Sequence, residues 1–396
     1  VLIEGPKACG KTQTARQRAA SEVLLDVDVD ARAAAALDPS LILDGDTPRL
    51  IDEWQLEPEL WNHIRRAVDE RADPGQFILA GSAVPADDAS RHSGAGRFGR
   101  LRMRPMSLFE SGLSDGRISL DALLAGESRR AGDRGISLTE LTEALVRGGW
   151  PGLQNLSIEA AATGVSDYLQ EISRTDVSQV EGVSRDPVRV RRLLASLARN
   201  VATTVSLETL AADTALDGED RLKSHTVGRY LTALERLFVV ENQPAWRPHL
   251  RSRSRLRDAA KRHFVDPSLA AAAIGADPTA LLRDLNLLGF LFESLVVRDL
   301  RIYAQHRRGE VAHYRDNKGL EVDAIVETPN AWGAFEVKLG GEKGIEEAAA
   351  SLLKFAFEID TAKSGEPAVL AVIVGRGYAY VREDGVQVIP ITSLGP

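Results

Sequence analysis

Short apolar runs alternate with amphipathic helical stretches through the first hundred residues. Val1–Glu4, Val23–Val27, Leu50–Asp52, Phe77–Ala80 and Leu101–Met106 predict strands, and Lys11–Ser21, Ala31–Leu37 and Pro58–Arg71 predict helices. Such alternation folds as a parallel sheet with helices on both faces. From Ser137 to about Gln179 the pattern turns helical, broken by a turn at Gly148-Gly149-Trp150-Pro151-Gly152. Residues 186–246 form a compact helical group ending in a short strand, Phe238–Glu241. Its clearest helix is Thr226–Phe238, where Val227, Tyr230, Leu231, Leu234, Leu237 and Phe238 share one face and Ser224 caps the start. Three short helices and a hairpin predict a winged helix-turn-helix. Beyond it, strand His263–Asp266, a helix around Leu281–Ala304, strands Val311–Arg315, Leu320–Val326 and Trp332–Leu339, a helix near Gly344–Phe357 and strand Ala368–Val374 predict a second α/β unit.

Gly5-Pro6-Lys7-Ala8-Cys9-Gly10-Lys11-Thr12 follows the first strand and opens the first helix, satisfying G-x-x-x-x-G-K-[ST]. About 0.006 matches are expected by chance in a chain of this composition. The glycines let backbone N–H groups fold around phosphates, Lys11 reaches the β- and γ-phosphates, and the Thr12 hydroxyl ligates Mg²⁺. Downstream, Arg49-Leu50-Ile51-Asp52-Glu53 supplies an apolar strand ending in two carboxylates. Asp52 is placed to hold Mg²⁺ through water and Glu53 to act as general base on the attacking water. Ser82, at the tip of the next strand, is a candidate sensor of the γ-phosphate. ATP and Mg²⁺ are the cofactors this set implies.

Arg91, Arg97, Arg100, Arg102 and Arg104 crowd the following segment. Arg97 and Arg100, between glycines, are candidate arginine fingers, and a finger supplied in trans requires a homo-oligomer. The alternation in Arg100–Met106 reads equally as an edge strand with a solvated basic face.

A second constellation lies in the C-terminal unit. Glu336 and Lys338 share one face of a strand, with Phe335, Val337 and Leu339 opposite. Asp323 lies on the preceding strand at hairpin spacing. Glu293 lies on a helix whose Phe290, Leu291, Leu295 and Leu300 would hold it against the sheet. Carboxylates so gathered, Asp323 and Glu336 foremost, bind Mg²⁺, and Lys338 orients or deprotonates a water for phosphodiester cleavage. The bland alternative is a surface salt-bridge network.

Composition bounds these readings. Basic residues number 49 and acidic ones 57, a net charge of −8, which excludes a uniformly basic nucleic-acid-coating protein. Nine lysines stand against forty arginines, so a lysine marks chemistry that arginine cannot perform. Cys9 is the one cysteine, which excludes intrachain disulfides and points to a cytoplasmic compartment; within its loop it reads as a packing residue. No apolar run is long enough for a membrane partner, and the seven histidines show no metal-ligand spacing. The chain starts on a strand without Met, which reads as the loss of an N-terminal segment. Arg247, Arg251, Arg253, Arg255, Arg257, Lys261 and Arg262, with Arg185, Arg189, Arg191 and Arg192, make a positive stretch suited to DNA phosphates. His225, Arg229 and Arg236 extend it along the exposed side of the amphipathic helix. Trp150, Trp246 and Trp332, beside Pro or Gly, read as packing anchors.

With these residues in hand, the chain resembles a prokaryotic family of AAA-type ATPases fused to a restriction-endonuclease-like domain. The resemblance spans Gly5–Thr12, Arg49–Gln55, Phe77–Ser82, Gly96–Arg97, Pro105–Glu110 and Gly148–Gly152. It continues through Tyr230–Phe238, Pro244–Trp246, Phe264–Leu269, Gly289–Glu293, Glu321–Asp323 and Phe335–Lys338. It implies an α/β fold in three parts: a parallel sheet with the P-loop strand in its middle, a winged-helix connector, and a C-terminal PD-(D/E)xK nuclease-like core. The corresponding boundaries are 1–135, 136–182 (a helical extension), 183–249 and 250–396. The resemblance carries Lys11, Thr12, Asp52 and Glu53 over as nucleotide and Mg²⁺ residues, and Glu293, Asp323, Glu336 and Lys338 as the nuclease-like set. The expectation is an ATP-hydrolysing protein coupled to a Mg²⁺-dependent, DNA-directed nuclease-like domain. Its alternatives are a nucleotide-gated regulator that binds DNA or protein without cutting, and a chaperone-like ATPase with no DNA affinity.

Overall fold

The computed structural model describes residues 1–71, 73–83, 95–177, 186–214, 222–247 and 259–396. The chain divides into two compact units: Val1–Pro105 with Arg174–Arg185 and Arg229–Val239, and Met106–Ser173 with Asp186–Gly228 and Val240–Pro396.

The first unit is built on β1 (Leu2–Glu4), β2 (Ser21–Leu24), β3 (Arg49–Asp52), β4 (Phe77–Gly81) and β5 (Arg100–Arg102), all parallel, in the order β2-β3-β4-β1-β5. The P-loop strand β1 is therefore interior but one strand in from the edge, not in the middle of the sheet. β5 is the edge strand that its alternation allowed. One face buries Leu2, Ile51, Leu79 and Trp61, and the other Ile3, Leu50, Ile78 and Ala80, as the period-two pattern of a doubly covered sheet requires. The first helix is shorter than its pattern predicts, Lys11–Arg16, because Ala20 already donates its N–H to the Pro48 carbonyl at the start of the sheet.

The second unit opens with β6 (Ile118–Ser119) and contains β7 (Val240–Gln243), paired antiparallel with β8 (Lys261–Phe264). A six-stranded mixed sheet follows. It is formed by β9 (Glu310–Arg315), β10 (Glu321–Glu327), β11 (Trp332–Lys338), β12 (Val369–Val374), β13 (Tyr380–Val381) and β14 (Gln387–Pro390), in the order β13-β14-β12-β11-β10-β9. β15 (Leu394–Gly395) pairs with β6, so residues 106–135 pack with the second unit. The β10–β11 pair is the hairpin expected of Asp323 and Glu336.

Helices Pro187–Arg199, Leu207–Asp213 and Ser224–Arg236 precede β7, whose partner β8 comes from the stretch assigned to the C-terminal domain, so the strand pair crosses the expected boundary at 249. All six predicted apolar positions are buried, although the third helix ends at Arg236 and Leu237 and Phe238 lie just beyond it. Ser224 does not cap it; the helix starts there, and the Lys223 carbonyl accepts the Val227 N–H. Trp246 and Trp332 anchor the second core, their rings 4.9 Å apart around Phe355. Trp150 stacks near Tyr168 and donates from Nε1 to Ser268 at 3.0 Å.

Phe355 is fully buried against Trp246, Tyr314 and Trp332. Phe355→Ala is expected to cost about 3–5 kcal/mol in the second unit's urea transition; a cost below about 1 kcal/mol would show that this aromatic cluster does not carry the core.

Candidate functional sites

In the first unit, Gly5 has no room for a side chain: an added Cβ would lie 2.3 Å from the Met103 carbonyl oxygen. Gly10, at φ +98°, turns the loop through a left-handed conformation into the helix. Lys11 folds back under the loop, and its Nζ donates to the carbonyls of Gly5 (3.0 Å) and Pro6 (2.8 Å). Burial pushes its ammonium below the ordinary value, against the weaker attraction of Cys9, Glu53 and Asp52. Cys9 is buried, with its thiol pushed up by burial, which fits packing. Lys7 instead pairs with the buried Asp176 at 2.7 Å.

Thr12 donates to Asp52 Oδ2 at 2.7 Å, while Asp52 Oδ1 is buried without a hydrogen-bond partner. Burial raises the Asp52 carboxyl above its ordinary value. Such an oxygen beside a hydroxyl is a fitting place for Mg²⁺, which takes one or two protein oxygens and completes its shell with phosphates and water. Glu53 follows at φ +51°, a left-handed conformation that turns its side chain away from the line of β3. Its Oε2 accepts from Ser82 Oγ (3.0 Å) and, in a very short contact, from Gln55. Ser82 thus serves Glu53 directly. Arg97 pairs with Asp69 at 3.0 Å and Arg100 with Glu4 at 2.9 Å, so both candidate fingers are engaged within their own unit.

In the second unit, all four predicted residues converge. Glu293 is buried on the helix Leu285–Ala304, held by Leu291, Leu295 and Leu300; Phe290, expected beside them, is 41 % exposed because it points off the packed stripe. Asp323 sits in a β-bulge: Val322 faces Tyr314 and Ile325 faces Ala312, so two residues of β10 oppose one of β9. Bulges re-aim side chains, and Asp323 Oδ2 accepts the Val337 N–H at 2.9 Å. Lys338 donates to Glu336 at 3.1 Å and lies 4.0 Å from Asp323.

A residue assigned to the DNA-facing stretch completes the group. Lys261 is not on the surface; it is 2 % exposed, with Nζ 2.7 Å from Glu293, 3.0 Å from Glu321 and 3.4 Å from Asp323. Burial alone would lower its charge affinity, but the three carboxylates outweigh burial and the net shift is upward. For Asp323 the balance runs the other way: burial raises it, and Lys261 and Lys338 pull it below its ordinary value. Glu293 is pushed up to about 8 by burial and by Asp323. Glu336 is likewise raised to about 8 by burial and the adjacent Asp323. Among the described residues, no group of three or more His, Cys, Asp or Glu is arranged to hold a metal ion. Asp323 Oδ1 lies beside the Lys261 ammonium, Asp323 Oδ2 accepts the Val337 N–H, and Glu336 Oε2 accepts from Lys338, so cations and a backbone N–H already engage the pair expected to hold Mg²⁺.

The cluster opens on a cleft of about 1060 Å³ that Thr203, Thr204, Ser206, Arg315 and Lys338 also line. Of the basic stretch, Arg262 hydrogen-bonds Asn242 and Arg189 pairs with Asp186. His225 and Arg229 are exposed, and Arg236 is half-buried. Arg91, Arg185, Arg251, Arg253, Arg255 and Arg257 lie outside the described residues. No helix among the described residues is long and apolar enough to cross a membrane.

The parallel sheet and P-loop geometry of the first unit are those of a P-loop NTPase fold, and residues 1–111 match the family described as AAA domain. Residues 138–280 and 288–394 match two domains of unknown function, DUF8612 and DUF4143. The chain is 27 % identical over 399 residues to the uncharacterized proteins Mb2031c of Mycobacterium bovis and Rv2008c of Mycobacterium tuberculosis, covering 100 % of this chain and 80 % of each relative. RuvB of Thermotoga maritima matches at 19 % identity and a TM-score of 0.27, over 61 % of this chain and 81 % of that one.

The raised glutamates set a pH dependence. Glu293 and Glu336 bind protons more tightly folded, near pH 8, than at their ordinary value of 4.5. Between these values the two glutamates make the folded state hold more protons, which lowers stability as pH rises; His263 and His313, both lowered by burial, act oppositely below their ordinary 6.5, so the net decline lies above pH 6.5. Asp323 acts only below its ordinary 3.8, and Lys261 only above its ordinary 10.5. Urea midpoints of the second unit measured from pH 6.5 to 8 should decline, and Glu293→Gln/Glu336→Gln should flatten the decline. An equal slope in that variant would remove these two groups as its source.

Proposed function

We propose that the chain is an ATP-binding and ATP-hydrolysing protein that acts through its nucleotide state on DNA, by way of a nuclease-like C-terminal unit. One observation carries the ATPase reading. Lys11, Thr12, Asp52 and Glu53 meet at the ends of β1 and β3, with Asp52 keeping one buried oxygen unused. In this reading Lys11 exchanges its loop carbonyls for phosphate oxygens, Thr12 and Asp52 hold Mg²⁺, and Glu53, steadied by Ser82 and Gln55, orients and deprotonates the attacking water. When bound, Mg²⁺ neutralises charge on the β- and γ-phosphate oxygens.

For the second unit two readings stand: Mg²⁺-dependent cleavage, and nucleotide-gated binding without cleavage. The position of Lys261 among Glu293, Glu321 and Asp323 favours the second. An ammonium there occupies the centre of charge that a catalytic metal would need.

Glu53→Gln should retain ATP and lose turnover by at least about 100-fold, whereas Lys11→Ala should lose ATP binding. Unchanged turnover in Glu53→Gln removes it as the base. With plasmid and junction DNA at low salt, affinity should change with ATP while the DNA stays intact. Mg²⁺-dependent cutting that Lys338→Ala abolishes would restore the nuclease reading, and absence of DNA affinity would favour a protein-remodelling ATPase.

A further inference from the structure

The carboxylates of the second unit lack the electrostatic vacancy of a metal site. The Lys261 ammonium has three N–H donors, and three carboxylates surround it at 2.7, 3.0 and 3.4 Å. It is locked in place from behind. Lys261 is opposite Gln243 in the β7–β8 pair, and Gln243 Nε2 donates to the backbone carbonyl of Asp323 at 2.9 Å, tying both strands to the bulge. Gln243 Oε1 in turn meets His263 Nε2 at 3.0 Å, and His263 Nδ1 meets Ser294 Oγ at 3.0 Å, one residue beyond Glu293 on its helix. The frame that sets the carboxylates therefore also sets the lysine.

We propose that Lys261 is the resident cation of this cluster, standing where a divalent ion would otherwise bind, and that the cluster becomes a divalent-ion site only when Lys261 is replaced. A divalent ion needs carboxylate oxygens at about 2.0–2.6 Å around a shared centre, which the ammonium fills. Displacing it would leave a buried lysine uncompensated. The inference deepens the non-cutting reading and rests on it. Its readout is metal binding, so it can fail while ATP turnover and DNA binding behave as expected, and the reverse.

The test is Mn²⁺ binding to the full, nucleotide-free chain, counted by electron paramagnetic resonance of the free ion. Four proteins are compared: wild type, Asp323→Asn, Lys261→Gln and Lys261→Gln/Asp323→Asn. All keep Thr12 and Asp52, so any binding at the P-loop is common to them. Wild type and Asp323→Asn should titrate alike. Lys261→Gln should gain one Mn²⁺ bound at least about tenfold more tightly than any wild-type site, and the double variant should lose it. The proposal is overturned if Asp323→Asn weakens Mn²⁺ binding in the wild-type background, or if folded Lys261→Gln gains no ion. Should Lys261→Gln fail to fold by circular dichroism, the first pair still decides: superimposed curves support the proposal and Asp323-dependent binding defeats it.

Discussion

Burying charge is the constraint around which the second unit is organised. An ammonium with 2 % exposure survives only if its donors are matched, and Lys261 is matched by carboxylates from a helix and a strand far away in sequence. That requirement fixes the register of β8 against β7, the depth of Glu293 on its helix, and the bulge that turns Asp323 inward. Removing any one partner would leave another charge uncompensated in a low-dielectric setting. The elements of the cleft are therefore tied together by electrostatics as much as by the aromatic core behind them.

The P-loop lysine shows the opposite solution. Lys11 is also buried, yet its hydrogen-bond acceptors are two backbone carbonyls of its own loop, which carry no net charge. Burial accordingly lowers its affinity for a proton, whereas the three carboxylates raise that of Lys261. A buried cation without a matching anion is a site that favours phosphate. One already matched is a site that does not need a ligand to be stable. The same residue type thus marks a ligand site in one unit and a structural counter-ion in the other.

The parts legible in sequence were those encoded locally. The P-loop, the Asp52–Glu53 strand end and the β10–β11 hairpin depend on spacing of a few residues, and the parallel sheet follows from repeated strand–helix pairs. The role of Lys261 depends on partners 32 and 62 residues away, and within its own stretch it looks like one more surface cation. Lysine scarcity was the signal that could have singled it out, since only nine lysines occur, but it was applied to Lys11 and Lys338 alone. The bulge at Asp323 leaves no mark on simple alternation. Nor does the outward turn of Phe290, because a helix buried over most of its circumference has no clean polar stripe. The pairing of β15 with β6 joins chain segments too short to announce themselves.

Counting carboxylates is a poor guide to the sign of the cleft. Burial and the neighbouring Asp323 push Glu293 and Glu336 up, toward the protonated form, so they carry less of the negative charge than a count of carboxylates suggests, beside Glu321 and Asp323. Facing these two are the three cations Lys261, Lys338 and Arg315, the last 3.8 Å from Glu321. Cations thus offset much of the carboxylate charge, and Lys338 stands half-exposed at the cleft. Four acidic residues therefore do not by themselves make this cleft a cation site.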